Sequence, residues 1–232
     1  MPRTPLILLP GLLCDRALWQ HQLDHLAEVA EMSVPDLGLD DSIDAMARRV
    51  LDAAPARFAL AGLSMGGYVA HAIMRAAPAR VLRLALLDTS ARPDTAEQTS
   101  RRRGLIELAE KGKFKGVTPR LLPLLVHPRR LEDKPLTAAV MGMAERIGKE
   151  GFFRQQKAVM GRTDSRPYLP SYACPTMVAA GRADAITPIE INAEMVTLIP
   201  GAKLVVIEES GHLSPMEQPV ATTALLRYWL QD

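Results

Sequence analysis

Six short, mainly apolar runs constrain this chain more than any other feature. They are Leu6–Leu9, Met32–Val34, Phe58–Ala61, Val81–Leu87, Thr176–Ala180 and Leu204–Ile207. Most do not alternate apolar with polar, so each reads as a strand whose two faces are both covered, the situation of a parallel sheet between helical layers. Parallel neighbours need a crossover between them, normally a helix. The intervening segments supply helical periods: Trp19, Leu23, Leu26 and Ala30; then Ile43, Met46, Val50 and Ala54 behind Ser42, a good N-cap; then Val69, Ala72, Ile73 and Ala76. A last helix is expected from Pro219, suited to a first turn, to Leu230. The chain reads as α/β, with a mostly parallel sheet of about six strands and right-handed crossovers.

One segment breaks this rhythm. Residues 94–172 contain no convincing strand, only helical patterns over Gly104–Lys113, Pro119–Val126, Leu136–Ile147 and Phe152–Met160. They are expected to form a helical cap inserted in a core made of residues 1–93 and 173–232. The segment holds 16 Lys and Arg against nine Asp and Glu, a surplus of seven on a chain whose net charge is only +2. Such a surplus fits solvated helix faces, or a mouth that draws anionic substrates.

The same sequence excludes several classes. At 232 residues it suits one domain with an insertion. A net charge of +2 gives no general affinity for nucleic acid. Leu6–Leu13 is broken by Pro10-Gly11 and far below the roughly 20 residues of a membrane span, and no targeting segment is recognised. Cys14 and Cys174 are far apart and in no metal-ligand spacing, which favours a reducing, cytoplasmic setting without disulfides or a bound metal.

The chemistry lies at strand ends. Phe58–Ala61 runs into Gly62-Leu63-Ser64-Met65-Gly66-Gly67 and then a helix, placing Gly-x-Ser-x-Gly at a strand–turn–helix junction. A serine at so tight a turn has strained backbone angles, and the positions two before and two after it must be small. With nine serines and 15 glycines in the chain, chance would supply about 0.04 such motifs. A serine hydroxyl needs a base. His21, His25 and His71 lie on helices and suit solvated or structural roles, and His127 sits beside Pro128 in the helical segment. His212 instead follows the last strand, in a loop with Gly211 where parallel sheets place active groups. Asp184, in the loop after Thr176–Ala180, is the expected partner that orients the base, with Asp88 the alternative.

The order Ser64, Asp184, His212 resembles the α/β-hydrolase superfamily, in particular its small cap-bearing serine esterases. So do the Pro10-Gly11 loop, Gly-Arg-Ala-Asp with Pro188, and Ser-Gly-His with Glu217-Gln218-Pro219. The likeness spans nearly the whole chain. The Ser-Met-Gly-Gly turn and the basic cap are also similar to menaquinone-pathway enzymes of the same fold. The resemblance implies Ser64 as nucleophile, His212 as base and Asp184 as its acid, with an oxyanion hole formed by the backbone N–H of Met65 and of Leu12 or Leu13. It implies no cofactor. Leu13, Trp19, Leu125 and Met143 are expected against the substrate.

A serine at this turn implies an acyl-enzyme route and carboxylester cleavage on a small-molecule substrate, of short to medium acyl length or an oligoester. Carbon–carbon cleavage or elimination on an anionic substrate, thioester hydrolysis, acyl transfer and perhydrolysis share the machinery, and a non-catalytic binding protein is a different class again. The sequence leaves the oligomeric state open.

Overall fold

A computed structural model describes residues 3–231. In chain order the elements are β1 (Thr4–Leu9), α1 (Gln20–His25), β2 (Ala30–Ser33), α2 (Ile43–Ala53), β3 (Phe58–Leu63), α3 (Met65–Ala76), β4 (Val81–Leu87), α4 (Ala96–Leu108), α5 (Leu122–Leu125), α6 (Lys134–Met160), β5 (Thr176–Gly181), α7 (Ile189–Leu198), β6 (Lys203–Ile207), α8 (Ser214–Glu217) and α9 (Pro219–Gln231). The six strands form one sheet in the order β2-β1-β3-β4-β5-β6, and every pairing is parallel.

Continuous apolar runs become strands because both faces are buried. In β1, Leu6 and Leu8 enter one core while Ile7 and Leu9 enter the other. In β4, Ala85 and Leu87 face one side and Leu84 and Leu86 the opposite one. Among the helices that cover the sheet, α2 starts at a side-chain cap. Ser42 accepts from the Ala45 N–H at the head of α2, whose buried stripe is Ile43, Met46, Ala47 and Val50. The first helical stripe of the sequence, Trp19 to Ala30, is shorter than expected: a 3-10 turn over Arg16–Trp19 leads into α1, and the chain is extended again by Ala30.

Between β4 and β5 the described residues form helices and turns only. The periods around Leu136–Ile147 and Phe152–Met160 fall on one long helix, α6, which bends at Gly148, where φ 69° and ψ −179° are open to glycine alone. Beyond the bend Ala158 and Val159, and then Leu169 and Tyr172, join the core under the sheet. The end of this segment is therefore rooted in the body. Its surplus positive charge meets the body's negative charge in pairs, Arg146 with Asp15 at 2.6 Å, Lys157 with Asp41 at 2.5 Å and Arg129 with Glu209 at 2.5 Å. Such exposed pairs each contribute little, about 0–1 kcal/mol, so they guide orientation more than they stabilise. Among the described residues no helix is long and apolar enough to cross a membrane, and Cys14 and Cys174 are both free.

The strand order turns back between β1 and β3, and ligands of open α/β sheets gather at the carboxyl ends beside such a reversal. The loops after β1 and β3 stand there, packed through glycine. A Cβ on Gly66 would lie 2.3 Å from the Leu9 carbonyl oxygen. Gly66→Ala is therefore expected to destabilise the fold by about 3 kcal/mol or more, the upper range for overpacking. Gly104, inside α4 with nothing within 4 Å of its missing Cβ, offers the opposite case. Gly104→Ala should stabilise by about 0.5–1 kcal/mol. Urea denaturation of both variants checks the pair.

Candidate active site

Ser64 ends β3 and begins α3 with φ 53° and ψ −113°, a conformation that non-glycine residues rarely adopt. Hydrogen bonds hold it there: Ser64 N–H donates to Leu87 O at 3.0 Å, and the Thr89 hydroxyl donates to Ser64 O at 2.7 Å. The glycines of the motif are contacts, not spacers. A Cβ on Gly62 would meet Gly66 O at 2.5 Å, and one on Gly67 would meet Thr89 Oγ1 at 2.2 Å. The turn thus presses its neighbours together and projects the serine side chain into a cavity.

His212 and Asp184 reach this serine from the loops after β6 and β5. His212 Nε2 lies 2.9 Å from Ser64 Oγ, and His212 Nδ1 lies 2.8 Å from Asp184 Oδ2. An ionised carboxylate only accepts, so Nδ1 carries the proton and Nε2 accepts from the Ser64 hydroxyl. Asp184 also accepts from the Ile186 and Thr187 N–H groups and from the Thr187 hydroxyl, at 2.8, 3.0 and 2.6 Å. Burial opposes its charge, but His212 and these donors overcome that and hold the carboxyl at about 2. Burial likewise pulls the His212 imidazole down, and Asp184 outweighs it, so its pKa rises above the ordinary histidine value.

Asp88, the alternative acid, is buried but turned elsewhere. It accepts from Gly181 N–H at 2.7 Å and from the Ser214 hydroxyl at 2.5 Å. Burial, then the charge of Asp184, pushes it up to about 7. It braces the ends of β5 and α8, and among the described contacts it makes no hydrogen bond to His212.

The loop after β1 separates the two oxyanion candidates. Leu13 N–H already donates to Gln155 Oε1 at 2.9 Å. Leu12 N–H and Met65 N–H make no hydrogen bond with other described residues, and both residues border the cavity. Met65 is moreover the first residue of α3, where the helix dipole favours negative charge. The cavity holds about 360 Å³, and Leu12, Leu13, Leu125, Ser64 and His212 lie in its wall. Two expectations need correcting. Trp19 and Met143 have no exposed surface and sit in the apolar core, outside the cavity wall. Their large apolar side chains fill the core on the opposite face of the sheet from Ala158 and Val159, which is the stronger demand on such residues. Cys14 borders the cavity, but burial and then the Asp15 charge push its thiol up to about 12, which leaves it inert. Elsewhere His71 is sealed against Tyr172 and His21 pairs with Thr223, both away from the cavity. Among the described residues no cluster of three or more His, Cys, Asp or Glu could hold a metal ion.

One important residue carried no role in the sequence. Glu217, fully buried, accepts from Gly211 N–H at 2.9 Å, Leu213 N–H at 3.0 Å and His127 N–H at 2.6 Å. It grips His212 from both sides and ties that loop to the helical segment, where Leu125 O also accepts from His212 N–H at 3.0 Å. Only its place five residues after the histidine hinted at this.

A profile of the alpha/beta hydrolase family matches residues 6–225. The chain belongs to that family, and it is a hydrolase. Among its relatives is the pimeloyl-[acyl-carrier protein] methyl ester esterase of Legionella pneumophila (strain Paris), 28% identical over 223 residues that cover 90% of this chain and 87% of the relative. Among solved structures, a thermophilic esterase from Thermogutta terrifontis is 31% identical with a TM-score of 0.88, over 98% of this chain and 89% of its own. The enol-lactonase from Burkholderia xenovorans LB400, at 23% identity and a TM-score of 0.87 over 100% and 93% of the two chains, shares the fold.

Replacing Glu217 by Gln substitutes an amide N–H for one acceptor of three backbone donors. About 2 kcal/mol of stability should be lost, the cost of a buried donor left unmet. The His212 ring signal in NMR spectra should broaden or shift as its loop loosens, and an unchanged Tm and ring signal would refute the bracing role.

Proposed function

We propose that this hydrolase cleaves carboxylic esters through an acyl-enzyme on Ser64. The observation that carries the reading is the unbroken hydrogen-bonded line from Ser64 Oγ through His212 to Asp184, opening into a cavity beside two backbone N–H groups without partners. The esterase names of several relatives support the bond type. His212 takes the proton of Ser64 as the hydroxyl attacks the ester carbonyl carbon. The developing oxyanion is held by Leu12 and Met65 N–H, and the alcohol leaves with the proton from His212. Water activated by the same imidazole then releases the acid. None of these steps calls for a cofactor. Two free cysteines fit a reducing, cytoplasmic setting.

A largely apolar cavity of about 360 Å³ suits short to medium acyl chains, gaining about 0.8 kcal/mol per buried CH₂ until it is full. A second reading has one observation in its favour. Arg101 and Arg102 stand in the cavity wall, as carbon–carbon cleavage or elimination on an anionic substrate would use. A series of p-nitrophenyl esters of increasing chain length, run beside emulsified triolein and an anionic cyclohexadiene, decides between them. Rapid turnover of the short esters with little on triolein is expected, whereas reaction of the cyclohexadiene alone would overturn ester cleavage.

Ser64→Ala should lower kcat about 10⁴-fold or more while the protein stays folded. Asp184→Asn should cost about 10²–10⁴-fold, since an amide holds the wrong tautomer, and Asp88→Asn far less. The rate should rise with pH as His212 loses its proton. Because Asp184 raises the His212 pKa, that limb should lie above the ordinary histidine value and move down in Asp184→Asn. Pre-steady-state rates across pH, in which chemistry is isolated from product release, provide the check.

A further inference from the structure

α4 has no fully buried residue, and of its side chains only Ile106 packs, half-buried, against the core. Helices that flank a sheet commonly bury one apolar stripe, as α2 does with Ile43, Met46, Ala47 and Val50. The corresponding stripe of α4, at spacing i, i+3, i+4 and i+7, is Gln98, Arg101, Arg102 and Leu105, and all four border the cavity that contains Ser64. Three of the four are polar, and Gln98 and Arg101 stay solvent-exposed while bordering the cavity.

Their hydrogen-bonding capacity is partly committed. Arg102 donates through Nε to Asp94 at 2.8 Å and through Nη1 to Gln156 at 2.9 Å. Asp94 is shared with the buried Arg162, at 2.5 Å, so one carboxylate serves two guanidinium groups and the cluster keeps a net positive charge. Gln98 spends its carbonyl oxygen on Thr95 N–H in a capping box, and its amide N–H groups make no hydrogen bond with other described residues. Arg101 forms neither an ion pair nor a hydrogen bond with any described residue. No Asp or Glu borders the cavity, so nothing in its wall offsets the two arginines.

We propose that Arg101, assisted by the Gln98 amide and the remaining Arg102 donors, forms a carboxylate subsite within the substrate cavity. The inference rests on the ester-cleaving reading and narrows its substrate class to esters with a free carboxylate on the acyl chain, away from the scissile bond. A single carboxylate matches the donors better than a phosphate does, since only one guanidinium is wholly uncommitted and a planar fork meets a carboxylate in two parallel bonds. The apolar stretch of the wall, with Leu12, Leu125 and Val140, would cover the methylenes between the two ends.

The test compares the monomethyl esters of glutarate and adipate with methyl esters of the matching ω-amides, which keep the length and lose the charge. For the wild type the ratio of kcat/KM, acid over amide, should be about 10- to 100-fold, the usual worth of a charge-assisted hydrogen bond. It should fall as salt is added. Arg101→Gln should bring the ratio near one, mostly through KM, and Arg101→Lys should restore part of it. Arg103→Gln removes the same charge from a neighbouring exposed position outside the cavity wall, and it should leave the ratio high. Comparable turnover of both ester types by the wild type overturns the subsite and leaves the ester reading intact. A high ratio that survives Arg101→Gln, or that falls equally in Arg103→Gln, also overturns it. Turnover of neither ester, nor of any p-nitrophenyl ester, removes the reading on which the proposal stands.

Discussion

The left-handed backbone at Ser64 is the constraint to which the surrounding structure answers. A non-glycine residue at φ 53° costs of order 1–3 kcal/mol and persists only where its surroundings leave no alternative. Here the enforcement comes from both sides. Leu87 O and the Thr89 hydroxyl, at the end of β4, fix the Ser64 peptide. Gly62, Gly66 and Gly67 let β3, β1 and the chain after β4 approach to distances no Cβ would tolerate. The strain at one residue is therefore sustained by three central strands of the sheet. Of these, β3 is buried throughout, and β1 and β4 are buried over the four residues that lead to the site.

The second demand is electrostatic. Asp88, Asp184 and Glu217 are all nearly or fully buried, and a buried carboxylate is costly unless donors surround it. Each is met by backbone N–H groups or hydroxyls from adjoining loops, and each ties a different part of the site. Asp184 orients His212, Glu217 holds the loop in which His212 sits, and Asp88 joins the turn after β5 to α8. Their environments push them apart. Asp184 faces an imidazole and stays ionised, whereas burial and the nearby Asp184 charge drive Asp88 upward. The 2.8 Å contact with His212 Nδ1, which Asp88 lacks, sets Asp184 apart as the partner of the histidine.

Strands and chemistry-bearing turns were legible because each depends on a local pattern. Phe58–Ala61 is apolar without a break and Val81–Leu87 is broken only by Arg83, because both faces are covered, and the six runs overlap the six strands. Ser64 announced itself through glycines that steric pressure requires. Legibility ended where distant contacts decide. Leu12 and Leu13 could not be separated in sequence, since the difference is Gln155, 142 residues further on, which occupies the Leu13 N–H. Trp19 and Met143 look the same as core or as pocket wall, because hydrophobicity carries no direction. Glu217 had no pattern of its own, and its role exists only once the loop after β6 and the segment at His127 converge on it.

The same reasoning explains why bond type is easier to argue here than substrate. The reacting end of the cavity is built from the carboxyl ends of the sheet strands, whose positions are set by sheet register and core packing. The remaining wall comes partly from α4, which buries no residue and is held by a capping box, by Arg102 on Asp94 and Gln156, and by the helices beside it. With Ile106 alone on the core, α4 can vary its inward stripe at little cost to the fold. A helix that packs on the core through Ile106 and turns two arginines and a glutamine to the cavity leaves that second face to be shaped by what enters. Core residues reflect what must be excluded from water, and the stripe on α4 reflects what must be admitted.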